Sequence, residues 1–149
     1  MSCVASILVG AAKDGDLPLI EKHYSRNTSL GTINKMCKWA LRSRDKAQNE
    51  DAKRAKRAFL SQLSFVLFER WTETHDAQID FAVSCIDSDL VYTLECLLRY
   101  YVWLPEDLYA VYVASEQDQR VLDMFDAPTN KMWTAEMRQR FEDMVANTA

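Results

Sequence analysis

The stretch from Asn49 to Trp71 constrains the fold of this chain more than any other. It contains neither Gly nor Pro, and it is long enough for about six turns of α-helix. Asn49 is a suitable N-cap, and the two acidic residues after it place negative charge at the positive end of the helix dipole. The first half is strongly charged, whereas the second half is apolar on nearly every side. We therefore expect a long central helix whose C-terminal half is surrounded by other helices and whose basic N-terminal half projects.

Short helices are predicted on both sides of this stretch, because apolar residues recur at helical spacing between polar turns. Thr32 and Thr134, for example, are suited to cap the helices that follow them. Residues 100–103 and 109–113 also contain strand-favouring side chains, but the helical period around them favours helix. Three Gly and three Pro are few for the many tight turns of a β-sandwich or barrel. We predict a single all-α domain over residues 1–149, with about nine mostly short helices packed as helical hairpins around the central helix.

The segment from Leu8 to Ile20, LVGAAKDGDLPLI, has the pattern of a helical hairpin. It resembles the first helix and turn of an ankyrin-type repeat, in which small residues let two helices approach, a glycine (here Gly15) forms the turn, and an aliphatic residue opens the second helix. Weaker echoes near Ala82 and Val113 lie at offsets close to two repeats and one repeat of about 33 residues. The echoes lack the turn glycine, and the chain has no Thr-Pro-Leu-His tetrapeptide. The resemblance implies stacked helix pairs that bind a partner along a groove; a compact helical bundle is the alternative.

Charge is distributed unevenly along the chain. Residues 1–70 contain 13 Lys or Arg and 7 Asp or Glu, a net charge of +6, whereas residues 71–149 contain 5 and 15, a net charge of −10. This pattern fits two solvated faces of one body, head-to-tail association of copies, or a basic surface for an acidic partner. The overall charge of −4 and the pI of about 5.2 speak against a protein devoted to nucleic acid.

Two groups of side chains are candidates for contact with another protein. Exposed Tyr and Trp often form binding hot spots, and basic residues steer acidic partners toward a surface. The aromatic candidates are Tyr100, Tyr101 and Trp103, and the basic candidates are Lys53, Arg54, Lys56 and Arg57.

A second hypothesis assigns nucleic-acid binding to the basic region between Lys35 and Arg57, where nine residues are Lys or Arg. Phosphate neutralisation by such a helix is physically sound, and a tryptophan within the region can stack on a base. The candidates for this role are Lys35, Lys38, Trp39, Arg42, Arg44 and Lys46.

The residue types that catalysis and metal binding require do not occur in a recognisable combination. His23 and His75 are the only histidines, and neither accompanies a nucleophile signature. The four cysteines form no CxxC pair and have no zinc-ligand spacing, and no Gly-rich loop is available for a phosphate. We therefore expect no catalytic, cofactor-binding or metal-binding residues.

The cysteines also bear on the compartment. Without a secretory signal or an apolar segment of membrane-spanning length, reduced thiols in a cytoplasmic protein are expected. The sequence as a whole favours a non-enzymatic intracellular protein–protein interaction module. The alternatives are a nucleic-acid-associated protein and a small structural subunit of a larger assembly, including a homo-oligomer joined through opposite charges.

Overall fold

The computed structural model describes residues 3–69, 74–125 and 133–148. Over these ranges the chain forms nine helices and no strand, so the predicted all-α class is confirmed. The helices are α1 (Cys3–Asp14), α2 (Leu17–His23), α3 (Leu30–Asp45), α4 (Glu50–Glu69), α5 (His75–Asp87), α6 (Val91–Glu95), α7 (Pro105–Ala114), α8 (Gln119–Phe125) and α9 (Ala135–Ala146). A π-helical segment, Cys96–Tyr100, continues directly from α6. The predicted long helix is α4, and Trp71 lies outside the described residues.

Side-chain caps set several of the helix starts. Asn49 and Thr134 act as predicted, since the side-chain oxygen of each accepts a hydrogen bond from the backbone N–H three residues further on, at 2.8 and 3.1 Å. The cap of α3 is Ser29 rather than Thr32. Ser29 Oγ accepts from the Thr32 N–H at 3.1 Å and lies 2.9 Å from the Thr32 hydroxyl. Thr32 therefore supports the cap from inside the first turn.

The helices pack around one hydrophobic core. Helix α3 contacts α1, α4 and α6, and α4 contacts α2, α3 and the π-helical segment. Helix α7 contacts α5, α8 and α9 and so brings the C-terminal helices onto the same body. Buried apolar side chains from α1 to α9 form one connected cluster, which holds the described elements in fixed relative positions.

Helix α4 is buried on one broad side rather than all round. Leu63, Leu67 and Phe68 are enclosed, but Phe65 is 60% exposed. The expectation that other helices surround the C-terminal half is therefore wrong at Phe65. The reason is the arrangement of its neighbours: α2, α3 and the π-helical segment cover the inner side of α4 and leave the opposite side to solvent.

The hairpin of α1 and α2 has the local features expected of it. Gly15, in the turn, has a φ of +74°, a conformation that glycine adopts at low cost. Ala11 and Ala12 are buried on α1, which packs against α2 and α3. In the weaker echoes, Asp89 has a left-handed φ of +55° without a glycine, and Val113 is 46% exposed. The ankyrin-like repeat remains a prediction.

The π-helical segment is tied to its surroundings through its carbonyl groups. The buried Ser64 hydroxyl of α4 donates a hydrogen bond to the Cys96 carbonyl at 3.2 Å. The Trp103 indole N–H donates to the Leu97 carbonyl at 2.8 Å. These bonds satisfy buried polar groups of a widened helix and fix α4 and the turn before α7 against it.

Candidate binding surface on α3

The outer face of α3 is basic over most of its length. Lys35, Lys38, Arg42 and Lys46 follow one another at intervals of three or four residues, which places them on one side of a helix. Trp39 lies beside this row and is half-buried. Five of the six residues proposed for nucleic-acid contact thus share one face of the molecule.

Basic side chains surround the indole of Trp39. Lys13 Nζ lies 5.0 Å from the centre of the ring, Arg42 Cζ 5.3 Å and Lys38 Nζ 5.8 Å. Lys38 Nζ is also 5.9 Å from the ring of Tyr92 on α6. Cation–π contacts of this kind contribute about 0.5–1 kcal/mol each when they are exposed to water. We refer to Lys13, Lys38, Trp39, Arg42 and Tyr92 as the Trp39 cluster.

The Trp39 cluster keeps its positive charge. Among the described residues, no carboxylate lies within ion-pair distance of Lys13, Lys38 or Arg42. Three like charges around one ring repel one another, and the ring quadrupole, solvent and, for Lys13 and Arg42, the negative ends of α1 and α3 offset part of that repulsion. An anionic group placed over the cluster would therefore be attracted by all three.

Arg44 does not belong to this face. It points toward α6 and the π-helical segment, where its Nη1 donates to Glu95 Oε2 at 2.9 Å and to the Tyr100 hydroxyl at 2.7 Å. Its Nη2 donates to Asp45 at 2.8 Å. Burial opposes the charge on Arg44, but these hydrogen bonds outweigh it and raise the pKa of the guanidinium. Its position on the helix therefore turns Arg44 away from the basic row, and its assignment to nucleic-acid contact stays a prediction.

The basic residues in the first half of α4 are partly paired with acidic residues of the same helix. Arg54 approaches Asp51 at 3.9 Å, and Arg57 approaches Glu50 at 3.8 Å, so both are partly balanced by the acidic first turn of their own helix. The four residues proposed for charge steering are spaced so that they spread over roughly half of the circumference of α4, about 160° at 100° per residue. They are Lys53, Arg54, Lys56 and Arg57.

The aromatic candidates for protein contact lie in the core. Tyr100, Tyr101 and Trp103 are all buried, and the Tyr101 ring packs edge-on against Trp103 at 5.4 Å between ring centres. Their assignment as surface contacts is therefore wrong in this conformation. A regular helix would have turned one of them outward, but the backbone becomes extended at Tyr101, and Val102 is the exposed residue instead.

A small polar cleft of about 190 Å³ lies between the starts of α5 and α7. Within it, His75 Nδ1 is 2.5 Å from Asp107 Oδ2, and this hydrogen bond raises the pKa of His75. The Tyr101 hydroxyl donates to Glu69 at 2.6 Å and accepts from Gln78 at 2.9 Å.

The cleft has a histidine–carboxylate pair but no activated nucleophile among its described residues. Thr74, the hydroxyl residue nearest to His75 in sequence, uses its oxygen to cap α5 by accepting from the Ala77 N–H at 3.1 Å. His75 is itself largely exposed, so the pair lacks the enclosure that strengthens catalytic hydrogen bonds. The arrangement supports a structural link between α5 and α7.

The cysteines are free thiols, and three of the four are buried. Cys37, Cys85 and Cys96 lie in the core, whereas Cys3 is exposed. Burial raises the pKa of Cys85 to about 12, which suppresses the reactive thiolate. Within the described ranges, His, Cys, Asp and Glu nowhere form a group of three or more arranged to hold a metal ion.

Comparison of the chain with protein families, with curated proteins and with solved structures gives no match. Among the described helices, none combines the length and apolar character needed to cross a bilayer.

Two members of the Trp39 cluster are not indicated by the sequence pattern. Lys13 is on α1, and Tyr92 is on α6, so only tertiary packing brings them to α3. The isolated lysine at the end of the first helix carried no signal of its own. The four-residue spacing of Lys38 and Arg42 did indicate a shared face.

Proposed function

We propose that this protein is a non-enzymatic protein–protein interaction module that binds an acidic segment of another protein on the Trp39 cluster. One observation carries the proposal: three cations surround a half-buried indole, and no carboxylate in the described part of the chain lies within ion-pair distance of them. Such a surface attracts carboxylates electrostatically, and its two aromatic rings offer apolar contact beside the charges. The free cysteines support a cytoplasmic location for this activity.

A protein partner fits the surface better than a nucleic acid. The basic side chains lie against the Trp39 ring, so a base would have to displace them before it could stack. The row from Lys35 to Lys46 extends only about 16 Å along α3. A longer polyanion would continue onto a molecule whose net charge is −4. An acidic helix of similar length matches the row without extending beyond it.

The proposal can be tested with a fluorescein-labelled Glu- and Asp-rich helical peptide of about 12 residues, the length that covers the row on α3. Fluorescence anisotropy measures its binding to the wild type, to Lys38→Glu and to Arg42→Glu. We expect each reversal to weaken binding by about tenfold, which corresponds to about 1.4 kcal/mol. Lys22→Glu, an exposed lysine on α2, is the matched control and should leave binding unchanged.

A single-stranded oligonucleotide serves as competitor in the same assay. The proposal is refuted if Lys38→Glu and Lys22→Glu bind the peptide equally. It is also refuted if the oligonucleotide binds more tightly than the peptide and loses affinity steeply with salt, because that result favours a nucleic-acid partner.

A further inference from the structure

Helix α4 has a second face that is exposed over most of its length, although Glu69 at its C-terminal end accepts a hydrogen bond from the Tyr101 hydroxyl. Opposite its buried side, exposed residues recur at helical spacing over the full length of the helix. They are Asp51, Arg54, Ala55, Ala58, Ser61, Gln62, Phe65 and Glu69. We call this row the outer face of α4. It is separate from the Trp39 cluster, which involves α1, α3 and α6.

The exposed side chain of Phe65 is the main reason to expect an interface on this face. At 60% exposure it is the most exposed of the large apolar side chains in the described residues, and the others in that group are Val and Leu. It stands beside a shallow groove of about 360 Å³ between α2 and α4, whose walls include Leu17 and Val66. An exposed aromatic next to an apolar groove is a common mark of an interface.

We propose that a second copy of this chain covers the outer face, with the two α4 helices antiparallel and crossing between Ser61 and Gln62. A two-fold axis at that point relates residues at equal distances on either side of it. Phe65, about 5 Å along the helix from the axis, then meets Ala58 of the other copy, where a small side chain leaves room. The contact occurs twice by symmetry.

Charge selects this orientation. Glu69 and Arg54 lie about 11 Å from the crossing point in opposite directions along α4. The two-fold axis therefore places Glu69 of each copy opposite Arg54 of the other copy. Arg54 is 76% exposed, and its ion pair with Asp51 is long at 3.9 Å, which leaves it able to turn to a new carboxylate. A parallel arrangement would instead oppose Arg54 to Arg54 and Glu69 to Glu69. Like charges in those places disfavour it.

The extent of the face sets the strength of the association. Helix α4 is about 30 Å long, and one helix pair with the edge of α2 buries less than the roughly 1,600 Å² of a standard interface. A weak dimer with a Kd in the micromolar range is therefore expected. It would give each assembly two Trp39 clusters.

Analytical ultracentrifugation from low micromolar to submillimolar concentration tests the association. The average mass of the wild type should rise toward that of a dimer, and Phe65→Asp should remain monomeric, with its dimer affinity reduced at least tenfold. Val113→Asp, another exposed apolar residue but on α7, is the matched control and should dimerise like the wild type. A monomeric wild type, or equal behaviour of the two variants, would overturn the proposal.

The orientation is tested by charge exchange and by crosslinking. Arg54→Glu should weaken the dimer, and combining it with Glu69→Arg should restore the affinity. Replacing Glu69 also removes the hydrogen bond that it accepts from Tyr101. Crosslinking therefore provides a second test of the orientation in which Glu69 is unchanged. In a Cys3→Ser background, Gln62→Cys should form a disulfide-linked dimer on mild oxidation, whereas Arg54→Cys should not. A disulfide-linked dimer of Arg54→Cys excludes the antiparallel geometry, whether or not Gln62→Cys also crosslinks.

The result of the dimerisation experiments does not depend on the proposed function. Phe65→Asp should bind the acidic peptide with the same site affinity as the wild type, since the Trp39 cluster shares no residue with the outer face. Loss of peptide binding in that variant would contradict the separation of the two surfaces.

Discussion

Arg44 and Arg42 are two residues apart on α3, yet the structure gives them opposite roles, and their replacement should separate those roles. The side chains of Arg44 and its partner Glu95 are only 19% and 23% exposed. Hydrogen bonds between charged groups contribute about 1.5–3 kcal/mol each, and the bond to Tyr100 adds about 1 kcal/mol. Arg99, 3.5 Å from Glu95, remains as a partial substitute when Arg44 is lost.

After this compensation and the residual solvent screening, Arg44→Met should lower the free energy of unfolding by about 2 kcal/mol. For a chain of this size that corresponds to a fall in Tm of about 4–8 °C. Methionine keeps most of the aliphatic volume, so the change measures mainly the lost polar contacts. Arg42→Met, on the exposed face, should cost at most its cation–π contact with Trp39, about 0.5–1 kcal/mol.

Urea unfolding followed by circular dichroism measures both variants. A double-mutant cycle with Glu95→Gln isolates the coupling between Arg44 and Glu95, which should exceed about 1 kcal/mol. Equal stability losses in Arg44→Met and Arg42→Met would refute the structural role of Arg44. If Arg44→Met weakened peptide binding without lowering stability, Arg44 would belong to the binding surface instead.

Three further predictions concern thiols, a buried phenol and the polar cleft. A thiol-specific chromogenic reagent should titrate only Cys3 in the native protein and all four cysteines in denaturant, and rapid native reaction of a second thiol would contradict the buried core. Tyr24→Phe should cost about 1 kcal/mol in a denaturant titration, since its hydroxyl donates to a buried carbonyl at 2.7 Å; an unchanged midpoint would contradict that bond. Burial raises the pKa of Tyr24, so the unfolded chain loses this proton first and stability should fall as pH rises above about 10, a fall that Tyr24→Phe should diminish. NMR titration should find the pKa of His75 above its usual value, and Asp107→Asn should lower it; because the native pKa is raised, the stabilisation from this pair is present in acid and lost as pH rises through that pKa.

The fold class was predictable from local signals. Helical periodicity and the caps at Asn49 and Thr134 act within a few residues, and the structure confirms both caps. Boundaries were less certain where two capping residues compete, as Ser29 and Thr32 do. The outward position of Phe65 was not predictable, since apolar residues surround it in sequence and only the arrangement of α2, α3 and α4 leaves its side uncovered.

The candidate site was predictable only in part. A basic helix with Trp39 was evident, but its charge pattern did not distinguish Arg42, which faces solvent, from Arg44, which is held by α6. The aromatic candidates failed for a different reason. The helical period predicts a regular helix through Tyr101, whereas the π-helical segment and the extended backbone after it turn these rings inward.

That π-helical segment makes the chain sensitive to its length at one place. A π turn accommodates one more residue than an α turn, and each residue of an α-helix advances the direction of its side chain by about 100°. Deletion of one residue between Cys96 and Tyr100 would allow an ordinary helix to close, but it would swing Tyr101 out of the space it now fills. Deletion of one residue here would thus expose aromatic side chains that are now buried and would promote association between molecules. The same deletion in an exposed loop would leave the core unchanged.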